Sequence, residues 1–366
     1  MLDGPIDGLS NQQLAQHAAG DAAFTDQIFT PETGLGSVFV ATSCGSCHAG
    51  EGKGTPFTTL TRFGQIDSTG NQFLHLGGPQ LQSRAIPGFT PEQIPAGATS
   101  AKFMPPSNTG LGLLEAVTDA DILAMADPFD ANGDGISGVP NWNDIPSYIN
   151  IPDNATTRNG KYICRFGKKA SVFNLLQQTA KAYNQDIGIT SLFELKDVYS
   201  GLDIDPEIST QTVNNVVFYL KTLKAPVQRT PNDADVVQGK NIFMQTGCAN
   251  CHKATLTTGF SPIDAVSNIT FHPYTDLLLH DMGTGLDDGY TEGNALTSEW
   301  RTAPLWGLGL APKSQGGQYF LLHDGRAKSI EEAITLHGGE ATTAKNKFTQ
   351  LNTSDRDKLL KFMKSL

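Results

Sequence analysis

The chain lacks any hydrophobic run long enough to cross a membrane. A spanning helix needs about 20 consecutive apolar residues, and polar residues interrupt every apolar stretch well before that length. An excess of positive charge is also missing, because 26 Lys and Arg face 37 Asp and Glu, a net charge of −11 over 366 residues. We therefore expect no membrane span and no nucleic-acid partner, whereas an acidic surface suits a small basic protein.

Cysteine is scarce as well, with five in the whole chain. Four of them lie in two copies of Cys-x-x-Cys-His, at 44–48 and 248–252, so only Cys164 remains. Without a second spare thiol, no structural disulfide is expected. Cys164 is interpreted as a buried thiol, and a reactive thiolate beside Arg165 is the alternative.

Each Cys-x-x-Cys-His motif offers two thiols that can form thioethers with a haem, and a histidine that can bind its iron. A zinc site would need four ligands on one metal, and the two pairs lie about 200 residues apart. A phenylalanine, Phe39 or Phe243, precedes the first cysteine of each motif by five residues. The sequence predicts two covalently bound haem c groups, held by Cys44, Cys47 and His48 and by Cys248, Cys251 and His252.

The predicted cofactor also predicts a location. Haem is attached to this motif outside the bacterial cytoplasm, so we expect a periplasmic or cell-surface protein. The first eight residues carry neither the basic nor the apolar segment of an export signal. We expect that such a signal has been removed from this chain.

An imperfect internal repeat organises the sequence. Gly-Leu-Gly-Leu follows each motif, at 110–113 and 307–310, and an amphipathic helix closes each half. Residues 219–223 align with 362–366 without a gap, and prolines near 226–231 break any helix between the halves. We predict a mostly α-helical protein with two cytochrome c-like haem domains and loop-rich insertions, comprising residues 1–226 and 227–366.

The first half carries an insertion of roughly 80 to 90 residues after Glu115. Near its start Asp130, Asn132 and Asp134 occupy positions 1, 3 and 5 of a calcium-binding loop. Asn141 stands where such a loop has its bidentate glutamate. A calcium site and an unmetallated turn therefore both remain hypotheses.

His337 is the candidate sixth ligand of the second haem. Ser329 and Glu332 indicate the start of a helix, and His337 shares a face of it with Ile330 and Ile334. The sixth ligand of a cytochrome c usually lies late in the domain, as this segment does. Met282 and His280 are the alternative ligands, and a hydrogen-bonded core histidine is the alternative role.

The first half has no histidine or methionine at the matching place, although His75 and Met104 lie earlier in the chain. We therefore predict one six-coordinate haem that carries electrons and one haem open to peroxide or oxygen. Cleavage of an O–O bond needs a group that moves a proton, and a carboxylate in apolar surroundings can do so. Glu115 is the candidate, with a solvent-facing glutamate at a helix start as the alternative.

At these residues the chain resembles the bacterial dihaem cytochrome c peroxidase superfamily, and within it the dihaem oxidoreductases called peroxidases or "thiol oxidoreductases". The likeness covers most of the chain from about Gly36 onward. The segments that carry it are residues 80–88, 110–115, 134–138, 165–170, 186–190, 280–283, 299–306, 323–327 and 337–340.

The resemblance implies two cytochrome c-like domains around an interdomain calcium, with an aromatic residue between the haems. It also implies that the C-terminal haem accepts electrons while the N-terminal haem performs the oxygen chemistry. The superfamily's peroxidases have methionine at the place of His337, and a bis-histidine iron has a lower potential than a His/Met iron.

Two departures from the family pattern bear on mechanism. Lys168 follows the Arg-Phe-Gly motif where this branch has a tryptophan, so an electron relay would need another residue, for which Trp142 is the candidate. A cysteine-rich segment common in the branch is absent, which argues against a thiol-oxidoreductase activity.

The leading hypothesis is a peroxidase-like enzyme that reduces hydrogen peroxide at the first haem. Glu115 would move the proton and Gln80 or Gln82 would orient the peroxide. A small donor protein of the cytochrome c or cupredoxin type would supply electrons through the second haem. The alternatives are an oxidase of a partner protein or organic molecule, and an electron carrier with both irons capped.

Overall fold

The computed structural model describes residues 4–366, and α-helices are its main regular structure. Most of these helices begin at a capping side chain, for example Ser10 before the first and Asn352 before the last. Within the described range there are ten: α1 (Asn11–Thr25), α2 (Leu111–Glu115), α3 (Asp119–Met125), α4 (Leu175–Ala182), α5 (Thr210–Thr222), α6 (Ala234–Thr246), α7 (Ala311–Ser314), α8 (Ile330–Leu336), α9 (Thr342–Thr349) and α10 (Thr353–Ser365).

The β-structure consists of short antiparallel pairs between loops. The strands are β1 (Val38–Phe39), β2 (Leu60–Phe63), β3 (Arg84–Ala85), β4 (Ser100–Phe103), β5 (Asn141–Asn143), β6 (Thr157–Arg158), β7 (Lys161–Cys164), β8 (Leu256–Thr257), β9 (Thr270–Phe271), β10 (Leu279–Asp281) and β11 (Glu299–Arg301). They pair as β1 with β3, β2 with β4, β8 with β9 and β10 with β11, and β7 lies between β5 and β6. Each sheet therefore takes its strands from one side of residue 226, and the β-structure of residues 4–366 connects the two sides only through isolated bridges such as Val139 to Leu279.

Two helix crossings repeat the same packing. In the first half α1 packs against α5, and in the second half α6 packs against α10. A Cβ on Gly20 would lie 2.1 Å from the carbonyl oxygen of Asn215, and one on Gly239 would lie 2.0 Å from that of Lys358. Only glycine permits so close a backbone approach, so each glycine determines how closely the two helices pack where they cross.

The Gly-Leu-Gly-Leu segments dock on the ends of the same closing helices. A Cβ on Gly112 would lie 1.9 Å from the Lys221 carbonyl oxygen, and one on Gly309 the same distance from that of Lys364. Lys221 and Lys364 are equivalent in the repeat of residues 219–223 and 362–366. The structure therefore confirms the repeat as a packing unit.

The phenylalanine of the first half that is structurally equivalent to Phe243 is Phe24 rather than Phe39. Phe24 lies four residues after Gly20, as Phe243 lies four after Gly239. Their rings contact His48 and His252, with centroids 5.9 and 6.5 Å apart. Phe39 instead lies on β1, because the first half inserts a long loop between α1 and its motif.

Two main apolar clusters form the core. The larger is built on α4 and α5 and the other on α6, α8 and α10. Leu256, Phe271 and Leu278, beyond the predicted boundary at 226/227, pack into the first cluster. The division into residues 1–226 and 227–366 therefore stays a prediction. No helix within residues 4–366 is both long and apolar enough to cross a bilayer.

Candidate haem sites

One continuous cavity is lined by both Cys-x-x-Cys-His motifs. Its walls come from the closing helices α5 and α10, from α4 and α8, and from the loops around β4 and β11. Most of the lining side chains are apolar. The cavity therefore brings together the residues that the sequence assigned to two separate haems.

At the second motif His252 and His337 both face this cavity. Nδ1 of His252 lies 2.9 Å from the Tyr274 carbonyl oxygen, and Nδ1 of His337 lies 2.6 Å from that of Ala333. Each Nδ1–H therefore donates to a backbone carbonyl, and Nε2 keeps its lone pair for a metal. Burial lowers the pKa of His337, and it lowers the pKa of His252 to about 4, which keeps both rings neutral.

His280, an alternative ligand, is held elsewhere. Its Nε2 lies 2.9 Å from an oxygen of Asp276, and its Nδ1 lies 2.7 Å from one of Glu340. These bonds outweigh burial and raise the pKa of His280 to about 12, so both nitrogens carry protons. Cys251, Asp276 and His280 place ligand atoms within 4.8 Å of one another, but a protonated imidazole offers no lone pair. Met282 does line the cavity.

At the first motif His48 lines the cavity with the ring of Phe24 beside it. Burial lowers the pKa of His48 to about 4, against a smaller opposing effect of the Pro106 carbonyl. A neutral imidazole is the form that binds iron. The first motif therefore also offers a neutral proximal ligand, although Nδ1 of His48, unlike that of His252, has no hydrogen-bond partner within residues 4–366.

Helices α4 and α8 occupy equivalent places in the two halves. Asn174 caps α4 and Ser329 caps α8, each accepting a hydrogen bond from the third residue after it. The turns before these caps each close with one antiparallel bridge, Phe166 to Val172 and Leu321 to Ala327. The caps and the bridges give the same alignment, in which each residue of the first half corresponds to the residue 155 positions later.

This equivalence shows how the two halves differ. The α4 residues that line the cavity are Leu175, Gln178, Thr179 and Ala182, and their counterparts Ile330, Ala333, Ile334 and His337 line it too. At the last three of these four positions, the second half presents two apolar side chains and a histidine, whereas the first presents an amide, a hydroxyl and a methyl group. The first motif therefore has no ligand opposite His48 at the position that supplies His337.

Further polar groups border the cavity beyond α4. The hydroxyls of Thr179 and Tyr183 are buried and have no hydrogen-bond partner within residues 4–366. Tyr183 begins a π-helical turn, Tyr183–Ile187, that brings Asp186 to the cavity. Gln80 donates its amide N–H to Asp186, and burial raises the pKa of this carboxyl to about 6.

Glu115 does not line the cavity. Its carboxylate lies 2.6 Å from the Lys221 ammonium and accepts a hydrogen bond from the Leu175 backbone N–H at 2.7 Å. The geometry therefore does not bring it to the position expected of a proton shuttle, because it ties α2 to α4 and α5 instead. A capping role of this kind has no signal in the local sequence.

The two predicted glutamines also stay out of the cavity lining. Gln80 reaches it only through Asp186, and Gln82 is buried with its backbone bonded to Glu92. His75 and Met104, the two possible ligands that lie earlier in the first half, differ in position. His75 is exposed and bonded to the Gln72 carbonyl, whereas Met104 is buried and lines the cavity.

The candidate calcium loop folds as a series of turns. Asp130 accepts hydrogen bonds from Gly135 N, Asn132 from Asp134 N, and Asp134 from Ile136 N. These bonds arrange the three side chains along one exposed loop. They stabilise the loop by themselves, and calcium binding by Asp130, Asn132 and Asp134 stays a prediction.

Trp142, the predicted relay, lies on β5 against the first apolar cluster and does not line the cavity. Trp300 and Trp306 do. Trp300 stacks on His323 with ring centroids 3.6 Å apart and planes 6° from parallel. Cys164 is buried, and burial raises its pKa to about 12, the opposite of what a reactive thiolate requires.

The residues present fit two haem groups. Neutral histidines, thiols and an apolar lining are the donor set and surroundings of a haem c. Five lining side chains are basic, of which Arg62 is paired with Glu292: Lys53, Arg62, Lys168, Arg301 and Lys345. Each haem would be held by one Cys-x-x-Cys-His motif. His337 would complete the coordination of the second.

The comparisons with known proteins agree with this fit. The family model described as "Di-haem oxidoreductase, putative peroxidase" matches residues 100–366. No functionally curated protein matches the chain significantly.

Three solved structures show distant similarity. They are hydrazine synthase of Kuenenia stuttgartiensis under 20 bar xenon (12% identity, 99% of this chain and 90% of that chain, TM-score 0.42), the diheme peroxidase BthA from Burkholderia thailandensis E264 (13%, 96% and 86%, TM-score 0.44), and a MauG-like protein associated with microbial copper homeostasis (14%, 54% and 68%, TM-score 0.32). None is close enough to carry an activity over to this chain. On the family match, which covers well over half of its residues, the chain belongs to the di-haem oxidoreductase family.

Proposed function

We propose that this protein is a dihaem c peroxidase, which reduces hydrogen peroxide at the first motif with electrons that enter at the second. The observation that carries the proposal is the difference between α4 and α8. His337 faces the cavity in the second half, whereas Ala182 occupies the equivalent position in the first. A methyl group leaves room for a small oxidant at the very place where a histidine would exclude it.

A haem at the first motif would supply the iron that binds peroxide and the electrons that reduce it. The chain's own residues position the substrate and move its protons. The Gln178 amide and the Thr179 hydroxyl point into the cavity on one face of α4. They can donate hydrogen bonds to a peroxide oxygen and so orient it.

Asp186 is the proton carrier that the geometry favours over Glu115. It lines the cavity, and its pKa of about 6 lies close to physiological pH. The carboxylate can accept a proton from the inner oxygen of peroxide and return it to the outer oxygen, which leaves as water. Gln80, bonded to Asp186, is then a positioning residue.

The relay between the two sites is proposed at Trp300, because Trp300 lines the cavity and Trp142 does not. Its ring is fixed by the His323 stack and by a hydrogen bond from Nε1 to the Leu286 carbonyl at 2.8 Å. An aromatic ring held between two redox sites shortens the distance that electrons must cross in one step. We further propose a small cytochrome c or cupredoxin as donor, a periplasmic or cell-surface location, and covalent attachment of both haems.

Low-temperature EPR of the oxidised and the half-reduced protein, before and after stoichiometric peroxide, tests this function. We expect one low-spin signal from the second haem and one high-spin signal from the first, and only the high-spin signal should change with peroxide. His337→Ala should abolish the low-spin signal and leave the other, which assigns each signal to its half. Two low-spin signals that ignore peroxide in both redox states would instead establish an electron carrier.

A further inference from the structure

The two halves meet through a reciprocal pair of backbone hydrogen bonds. Met104 N donates to the His323 carbonyl oxygen at 2.7 Å, and Arg301 N donates to the Lys168 carbonyl oxygen at 2.9 Å. Lys168 and His323 each lie six residues before the cap of α4 or α8, and Met104 and Arg301 each lie six residues before Gly-Leu-Gly-Leu. The interface therefore has two equivalent corners, each made by one residue from either half.

The two corners differ in charge. At one corner Lys168 and Arg301 both line the cavity, and Lys53 joins them there. At the other corner stand Met104 and His323, and His323 shares a hydrogen bond of 2.6 Å with the Asp288 carboxylate. Three basic side chains thus stand close together at one corner of an otherwise repeated arrangement, because Lys53 and Arg301 both act on Lys168 electrostatically. Two other basic side chains line the cavity, Arg62, which is paired with Glu292, and Lys345.

Within residues 4–366 no carboxylate forms an ion pair with Lys53, Lys168 or Arg301, although Asp276 attracts Arg301 from further away. Arg301 donates only to the carbonyls of Gly167 and Thr302. The ammonium groups of Lys53 and Lys168 have no hydrogen bond or ion pair with any residue in the range 4–366, and Asp324 attracts Lys168 only from beyond ion-pair distance. Burial, with Lys53 and Arg301 nearby, lowers the pKa of Lys168 to about 7, so an anion among these side chains would remove a considerable electrostatic penalty.

We propose that Lys53, Lys168 and Arg301 form an anion site that holds the carboxylate groups of the haem at the first motif, and that their charge raises its reduction potential above that of the second haem. Lys53 follows His48 by five residues, and Lys168 acts on His48 electrostatically. Nearby positive charge favours the reduced iron, which carries one positive charge less. Bis-histidine ligation lowers the potential of the second haem, so electrons would pass downhill from the second site to the first.

Spectroelectrochemical titration of the intact two-haem protein tests this inference, with each haem followed by its own spin-state signature. Lys168→Met removes the charge but keeps most of the side-chain length. We expect about a tenfold loss in the reduction constant of the first haem, a fall of about 59 mV for a one-electron couple, and a smaller change at the second. Lys53→Met should also lower the potential of the first haem. The inference can therefore still be tested if one of the two variants fails to fold.

Lys102→Met is the matched control, because Lys102 is an exposed lysine on β4. Equal potentials in Lys168→Met, Lys53→Met and Lys102→Met would overturn the proposal, as would a fall confined to the second haem. The inference rests on the haem-binding part of the proposed function alone. The titration uses no peroxide, so a protein that fails to reduce peroxide still reports both potentials.

The carboxylate in this site could come from the haem or from an anion in solution. Titration with sodium acetate distinguishes these two sources. A first-haem potential that is independent of acetate in the wild type supports a site already filled by the haem's own carboxylates. A potential that changes with acetate in the wild type but not in Lys168→Met would show a site open to free anions, and would overturn the assignment.

Discussion

Helices α4 and α8 hold equivalent places in the two halves of one chain, yet they present different side chains to the same cavity. Both begin at a capped residue after a bridged turn, and the first, fourth, fifth and eighth residues after each cap line the cavity. The eighth residue is His337, directly after the end of α8, in the second half and Ala182 in the first. Because the two backbones follow the same course here, the proposed difference between a capped and an open site depends on a few side chains.

The same contrast extends to the junction of the halves. Lys168 is equivalent to His323, and Arg301 to Met104, so one corner carries two basic side chains and the other a methionine and a histidine bonded to Asp288. Substitutions at the equivalent positions are the most direct way to test this comparison.

The largest effect is expected from Ala182→His, which gives the first half the ligand of the second. The new imidazole should occupy the space opposite His48, convert the first haem from high-spin to low-spin, and slow peroxide turnover at least about 100-fold, or about 2.7 kcal/mol. EPR and stopped-flow measurements with peroxide check both changes. Ala182→Val, similar in bulk but without a ligand atom, should keep the high-spin signal.

Next is Asp186→Asn, which removes the proposed proton carrier. Peroxide reduction should fall about 100-fold. In the wild type kcat/KM should rise as pH increases through about 6, because the carboxyl with its raised pKa of about 6 accepts a proton only once it is ionised. Asp186→Asn should lose this rise of kcat/KM with pH. If the rise persists in the variant, another group carries the proton.

The two crossing glycines should respond alike, because they serve the same packing in each half. Gly20→Ala and Gly239→Ala each push a methyl group into a backbone carbonyl, and each should lower the free energy of unfolding by about 1–3 kcal/mol. Gly285→Ala, with nothing within 4 Å of its added Cβ, is the control. Chemical denaturation measures all three, and a stable Gly20→Ala beside an unstable Gly239→Ala would break the equivalence of the crossings.

The smallest effect is expected from Glu115→Gln. Its partly exposed ion pair with Lys221 contributes at most about 1 kcal/mol, and the amide oxygen can still accept from Leu175 N. Peroxide turnover should change less than about threefold, or 0.7 kcal/mol, while the unfolding midpoint falls slightly. A large loss of turnover with unchanged stability would restore Glu115 as the proton shuttle.

Much of the second site was predictable from sequence because its signals are local. Ser329 caps the helix, as its motif predicts, and His337 follows on the same face as Ile330 and Ile334. The distal side of the first site was harder to locate. The insertion after Glu115 separates Gly-Leu-Gly-Leu from α4, so the matching place lies much further along the chain than in the second half. Aligning the capped starts of α4 and α8 would have pointed to Gln178, Thr179 and Ala182.

Glu115, Gln80, Gln82 and Trp142 show why composition alone misleads about a site. Each is a plausible residue type within an apolar or family-like segment, but none lines the cavity. Glu115 forms an ion pair with Lys221, and Gln80 is connected to the cavity by its hydrogen bond to Asp186. Whether a polar residue faces a cavity depends on partners far away in sequence, and no local pattern encodes them.

By itself the sequence determined the cofactor motifs, the internal repeat and the choice of His337 as a candidate ligand, because covalent spacing, helical periodicity and capping act over a few residues. Tertiary structure alone decided that Asp186 and Trp300 meet the cavity, and that Lys53, Lys168 and Arg301 converge on one corner of it. Lys53, Lys168 and Arg301 come from segments more than 100 residues apart, and so do Asp186 and Trp300. Only the packing of the two halves against each other gives them a common site.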